Sequence, residues 1–174
     1  MANPRSQAAA GHRAPRPRRL RRAELPADTV ALARFLIGKL VVRELPRARL
    51  VGRIVETEAY LVGDAACHAF RGVTERNRSL FRAHGHAYVY LAYGTSWMLN
   101  VSGEAEGVGA GVLIRALDGT DLCARGPIWL GDDGAEPGVI GTSVRIGITK
   151  EAERVLRYYA SGNPYVSGPR RLNA

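Results

Sequence analysis

Lysine occurs only twice in these 174 residues, at Lys39 and Lys150, and cysteine only twice, at Cys67 and Cys123. So few thiols exclude a disulfide framework or a structural zinc site. A Cys67–His68 pair would lack two further metal ligands, so no metal is expected. No apolar run reaches the length of a membrane span, and the N-terminus has no apolar core of the kind a secretory signal needs. A soluble, intracellular protein is expected. There is no internal repeat, and the length suits one ordinary domain with a real core.

Arginine, by contrast, is abundant. The formal net charge is +9, which invites a nucleic-acid reading. Seven of the arginines (positions 5, 13, 16, 18, 19, 21 and 22) fall within residues 1–22, which hold no acid, so the remainder carries only +2. Scarce lysine beside abundant alanine, glycine and arginine also fits a GC-rich genome, which raises arginine whatever the function. Residues 1–22 are rich in Pro, Arg and Ala and poor in large apolar side chains, the composition of a disordered segment. They read as a phosphate-binding arm or a solvated tail, and the composition favours the tail.

From Ala23 the pattern tightens. LPADTVALARFLIGKL offers Asp28 or Thr29 as an N-cap, apolar residues at helical spacing, and Gly38 as a stop. Two strands, VVREL and LVGRIVETEAY, follow as a hairpin turned at Pro46. The segment GDAACHAFRGVTERNRSLFRAHGH is polar and irregular, a long loop of functional character. AYVYLAYGTSWMLNVS predicts a second hairpin, with Tyr88 and Tyr90 on one face, Val89 and Leu91 on the other, and Tyr93-Gly94 near the tip. AGVLIRALD and VRIGIT predict strands, and LRYYASGNPYVSG ends in turn chemistry. The expectation is an α+β fold: a single domain over residues 23–174, with a curved, mostly antiparallel sheet, flanking helices and a protruding β-hairpin.

Chemistry concentrates in ETEAY. In a regular strand Glu56, Glu58 and Tyr60 share a face, which sets a carboxylate beside an aromatic plane. Such a carboxylate can act as a general base towards water, its pKa tuned by burial and a nearby cation. Arg115, inside the apolar strand GVLIRAL, is the candidate cation and must be paired. Spacing alone leaves open a buried Glu–Arg pair that merely fixes the fold. Likewise Tyr88, Tyr90 and Tyr93 could be cross-strand packing, His68 a hydrogen-bonded loop residue, and Arg76 and Arg78 of RNR a phosphate clamp or a solvated pair.

Read together and in order, ETEAY, the histidine eight residues beyond it, RNR, YVYLAYG, an asparagine soon after and LIRAL resemble the 3-methyladenine (alkylpurine) DNA glycosylase family. The resemblance extends to LPADTVALARFLIGKLV and RIGITKEAERVLRYYASGNPYVS, and so covers nearly everything from Leu25 onwards. It implies a monofunctional bacterial DNA-repair enzyme, cytoplasmic at the nucleoid, that acts as a monomer on double-stranded DNA containing alkylated purines. The damaged base is flipped out and its N-glycosidic bond hydrolysed, with no cofactor.

By the same resemblance Glu58 is the general base that activates water for attack at C1′, and Glu56 a supporting acid. Tyr60, His68 and Tyr90 are walls of the base pocket, and Asn100 the residue that crowds out a guanine amino group. Arg115 is the cation near the water and the sugar-phosphate. Tyr93 is the wedge that fills the vacated stack, with Gly94, Arg76 and Arg78 also at the DNA. No lysine near ETEAY offers a Schiff-base nucleophile, so lyase chemistry is not expected. The chain departs from the family after LIRAL, where a segment of some tens of residues is missing and LIRALDGTDLCARGPIWLGDDG joins the flanks near residues 118–121. A compact enzyme and a catalytically impaired copy that binds DNA without excising bases both fit that departure. A basic RNA-binding protein would leave Glu58 and Asn100 without a role.

Overall fold

The computed structural model describes residues 17–118 and 128–173. Nine strands in these residues join one sheet in which every pairing is antiparallel. They are β1 (Arg18–Arg19), β2 (Leu40–Leu45), β3 (Ala48–Tyr60), β4 (Ala87–Ala92), β5 (Ser96–Ser102), β6 (Gly111–Asp118), β7 (Ile128–Asp132), β8 (Ile140–Ser143) and β9 (Arg157–Ala160). The order across the sheet is β1-β7-β2-β3-β6-β5-β4, with β9 pairing β3 and β8. The α+β class holds. Of the expected flanking helices, one α-helix is present among the described residues, α1 (Thr29–Leu36), beside three short 3₁₀ turns.

The helix forms where its cap and apolar stripe require. Asp28 accepts the Ala31 N–H at 2.7 Å, satisfying one of the donors orphaned at a helix start. Glu104 accepts both the N–H and the hydroxyl of Thr29, tying the helix to the loop after β5. Gly38 ends the element with φ +83°, a conformation side chains resist, and a Cβ there would stand 2.8 Å from Pro137 Cβ. Leu32, Ala33, Leu36 and Ile37 are buried against Ile54, Ala59, Val112 and Ile114. Full burial of each larger side chain contributes roughly 1.5–3 kcal/mol. That apolar layer occupies one face of the sheet and leaves the other for polar residues.

Strand β3 is the axis of the molecule. Along one edge it pairs with β2 over Ala48–Arg53 and then with β9 over Glu56–Glu58; along the other it pairs with β6. Two compensating register shifts interrupt the β3–β6 ladder. Ile54 faces Leu117 and Glu56 faces Ala116, so Val55 is the extra residue; Thr57 then faces Ile114, so Arg115 is the extra residue on β6. A bulge re-aims the side chain it carries. Here the pair brings the Arg115 guanidinium to both Glu56 and Glu58.

One expectation changes. The segment VRIGIT is not a strand: after Ser143 the chain leaves the ladder, Arg145 is buried in an ion pair with Asp64, and Gly147 takes φ +77°. This releases the Ile146 backbone from sheet pairing. Within the span expected as a tail, Arg18–Arg19 pair with β7, and Arg22 donates to the Ala83 and His84 carbonyls. Residues 1–16 and the junction after Asp118 lie outside the described residues. No helix among the described residues is long and apolar enough to cross a membrane.

Candidate active site

One row across the sheet assembles the site. Tyr88 faces Asn100, Asn100 faces Leu113, Leu113 faces Glu58, and Glu58 faces Arg157. Directly opposed residues on neighbouring strands project to the same side, so the register alone gathers the tyrosine, the amide and the carboxylate. Glu56 and Tyr60 flank Glu58 at a spacing of two. These side chains lie on the face away from α1, where a cavity of about 400 Å³ opens, lined by Tyr60, His68, Tyr90, Asn100, Arg115 and Ile146 among others.

The two glutamates have different surroundings. Glu56, wholly buried, accepts Arg157 Nε at 2.6 Å, the Ser167 hydroxyl at 2.8 Å and the Ser167 N–H at 2.6 Å. Arg157, also wholly buried, donates in turn to Ser143, Leu172, Ser167 and Asn173. Every strong group there is matched within the protein, as a fold-fixing buried pair demands. Glu58 is equally buried but less encumbered. One oxygen accepts the Tyr60 hydroxyl at 2.9 Å, the other the Ile146 N–H at 2.8 Å, with Arg115 Nη1 at 3.5 Å. Glu58 does not itself line the cavity; Tyr60, Arg115 and Ile146, its three partners, do. Its carboxylate stands one side chain behind the cavity wall. Arg115 is held by Ser167 Oγ at 3.0 Å and the Ile146 carbonyl at 3.2 Å.

The aromatic residues form two groups. Tyr60 stands over Glu58, with the Arg145 guanidinium 4.7 Å from its ring centroid. Burial, and then the Glu58 charge, push its phenol well above the ordinary range, so it remains a donor. The other group is His68, Tyr88 and Tyr90. The His68 ring lies 4.4 Å from that of Tyr90, its Nδ1 is 3.0 Å from the Tyr88 hydroxyl, and Tyr88 stacks on Tyr90 at 5.4 Å. Burial and the nearby Arg76 lower the His68 pKa, which keeps the ring neutral at pH 7. Asn77 fixes the loop beneath by accepting the Thr74 N–H and donating to the His68 and Gly72 carbonyls. The RNR run therefore divides three ways. Arg76 lines the cavity with its guanidinium 5.7 Å from the Tyr90 centroid, Asn77 is a buried brace, and Arg78 pairs with Glu75 at 3.0 Å and stands outside this cavity's lining.

Tyr93 sits at the tip of the β4–β5 hairpin, 89% exposed and with φ +52°, followed by Gly94 at φ +71°. Left-handed backbone at a tyrosine costs about 1–2 kcal/mol. A large ring held in solvent on a strained turn does nothing for the core, which points to function.

A profile of the methylpurine-DNA glycosylase (MPG) family matches residues 23–118. The chain belongs to the methylpurine-DNA glycosylase family. It is by that membership a DNA N-glycosylase, a hydrolase of N-glycosidic bonds. Relatives share the name "Putative 3-methyladenine DNA glycosylase". The glycosylase is 55% identical to one from Mesorhizobium japonicum, over 87% of this chain and 91% of the relative. It is 43% identical to one from Paraburkholderia phytofirmans (88% and 90% covered) and 35% identical to one from Chlorobaculum tepidum (80% and 86%). The first alignment runs over 189 positions, whereas 87% of 174 residues is about 151. About 38 positions of that relative thus have no counterpart in this glycosylase, and the family match stops at Asp118.

Sequence reasoning missed Arg145, Asp64, Arg157, Ser167 and Ile146 as parts of the site's frame. A signal for the two arginines was present: each interrupts an apolar stretch, SVRIGI or VLRYYA, as Arg115 interrupts LIRAL. Ile146 acts through its backbone, for which the sequence carries no sign.

Proposed function

We propose that this glycosylase turns an alkylated purine out of duplex DNA into the aromatic cavity and hydrolyses its N-glycosidic bond with water activated by Glu58. The observation that carries the reading is the buried Glu58 carboxylate, oriented by the Tyr60 hydroxyl and Ile146 N–H and standing beside Arg115 immediately behind that cavity. Its bonds fix the carboxylate's direction before substrate arrives, the preorganisation that general-base catalysis needs. A water at the meeting of Glu58, Arg115 and the Ile146 carbonyl gives its proton to Glu58 as its oxygen bonds to C1′. The C1′–N bond breaks and its electron pair leaves with the purine. A base already cationic from N3- or N7-alkylation departs neutral, so no strong acid is needed at the leaving group.

Tyr60 on one side and His68 with Tyr90 on the other offer faces to the flipped base. Each contact between a cationic base and such a ring contributes about 0.5–2 kcal/mol, which favours charged lesions over normal purines. Flipping costs a few kcal/mol and is cheapest at damaged positions; Tyr93, presented on its strained turn, fills the space left in the stack. Asn100 crowds the edge where guanine carries its amino group. Arg76 reaches the strand beside the pocket. The enzyme acts as a monomer at the nucleoid and leaves an intact abasic strand.

The absence of about 38 positions found in a relative favours one second reading, a copy that binds DNA but has lost excision. Incubation of the protein with methylated duplex DNA, followed by chromatography for free purines, separates the two. Release of methylpurines supports the enzyme; retained lesion binding without release establishes the impaired copy.

A further inference from the structure

Beside the base pocket lies a second cavity, of about 440 Å³, which the chemistry above does not use. His68, Cys67, Tyr88 and Arg76 line both cavities. Beyond that shared wall the second cavity is lined by Arg71, Thr74, Asn77 and Lys150, and by no aspartate or glutamate. Its three cations come from two stretches of chain far apart in sequence, Arg71 and Arg76 from the loop after β3 and Lys150 from the strap between β8 and β9. Elsewhere the described basic residues commonly carry acids: Arg49 pairs with Glu44, Arg53 with Asp133, Arg78 with Glu75 and Arg154 with Glu151. Arg71, Arg76 and Lys150 have no carboxylate partner among the described residues. The nearest acids in sequence, Glu75 and Glu151, are turned to Arg78 and Arg154. Convergent cations left unneutralised around a concavity form a positive field suited to an anion with several oxygens.

We infer that this second cavity holds a backbone phosphate of the DNA strand that delivers the base to the neighbouring pocket. The inference rests on the reading of the first cavity as the base pocket. Arg71, Arg76 and Lys150 are solvent-exposed, so their hold on a free anion is weak. A phosphodiester tethered to a duplex already engaged next door arrives at high effective concentration, and the wall shared through His68 and Arg76 places the two occupants within one strand's reach. The subsite contributes affinity and register without reading sequence.

The test is the salt dependence of binding to undamaged duplex, followed by fluorescence anisotropy between about 50 and 200 mM salt. Loss of one phosphate contact makes the log–log slope shallower by about 0.9. The double variant Arg71→Ala/Lys150→Ala should show that change. Arg47→Ala, which removes an exposed charge in the turn between β2 and β3, should not. Both variants alter exposed side chains, and matching thermal unfolding curves verify the fold. A double-variant slope equal to wild type, or an equal change in Arg47→Ala, overturns the subsite. Titration with inorganic phosphate distinguishes a free-anion site. Saturable phosphate binding lost in the double variant, with the DNA slope unchanged, would also overturn the proposal. Undamaged DNA is bound without excision, so the slope falls as expected even if the glycosylase reading fails, and excision persists even if the subsite fails.

Discussion

Arg115 balances two carboxylates that have no access to solvent, and removing it exposes how much of the site depends on that balance. Glu56 and Glu58 are both 0% exposed, and among the described residues the cations paired with them are Arg157, committed to Glu56, and Arg115, shared between the two. Arg115→Met keeps most of the volume and leaves one buried negative charge unmatched. Breaking a buried pair in this way costs about 3–5 kcal/mol. For a protein of this size 1 kcal/mol shifts Tm by about 2–4 °C, so the variant should melt roughly 6–20 °C below wild type. The double variant Arg115→Met/Glu58→Gln restores the charge count and should recover much of that loss while remaining inactive. Calorimetry or circular dichroism at pH 7 measures both. A fall in Tm below about 2 °C for Arg115→Met, less than about 1 kcal/mol by the same conversion, or no recovery in the double variant, would refute the shared-cation argument.

Other consequences concern the pocket and the hairpin. His68 has its pKa lowered from 6.5 in the folded state, so unfolded chains bind more protons and stability should decline as pH falls through 6.5 towards the folded value. Urea unfolding at about pH 7.5 and 5.5 should show a smaller pH difference in His68→Gln than in wild type; equal differences would remove His68 as the cause. Tyr93→Gly should weaken affinity for lesion-bearing duplex while leaving stability unchanged or raised by up to about 1 kcal/mol, because glycine accepts the left-handed turn. Unaltered lesion affinity in a binding titration would contradict the wedge. Asn100→Ser should relax discrimination against guanine-type bases, read as the ratio of excision rates for 7-methylguanine and 3-methyladenine; an unchanged ratio would count against that role.

Much of the architecture was legible because it depends on local chemistry. The α1 cap at Asp28, the stop at Gly38, the turn at Pro46 and the alternation through YVYLAYG each rest on a few adjacent residues. What escaped depends on contacts far apart in the chain. Arg157 finds Glu56 across 101 residues and Arg145 finds Asp64 across 81. Those pairs turn VRIGIT from a periodic strand into a strap that offers a backbone N–H to Glu58. The paired shifts at Val55 and Arg115 were illegible for a related reason: a bulge is a property of two strands in register, and each strand alone shows only regular alternation. The glutamates illustrate the limit well. Their spacing in ETEAY gives no means of separating the anchor from the candidate base, whereas their partners do: Glu56 is bound by Arg157 and Ser167, and Glu58 by groups that line the cavity.

The central claim, that Glu58 activates the attacking water, is tested most directly by single-turnover excision with Glu58→Gln on methylated duplex, alongside lesion binding by the same protein. The amide keeps the size of the side chain but cannot take the proton, so free purine should fall to background while lesion affinity stays within a few-fold of wild type. Methylpurine release by Glu58→Gln at the wild-type rate would contradict the account.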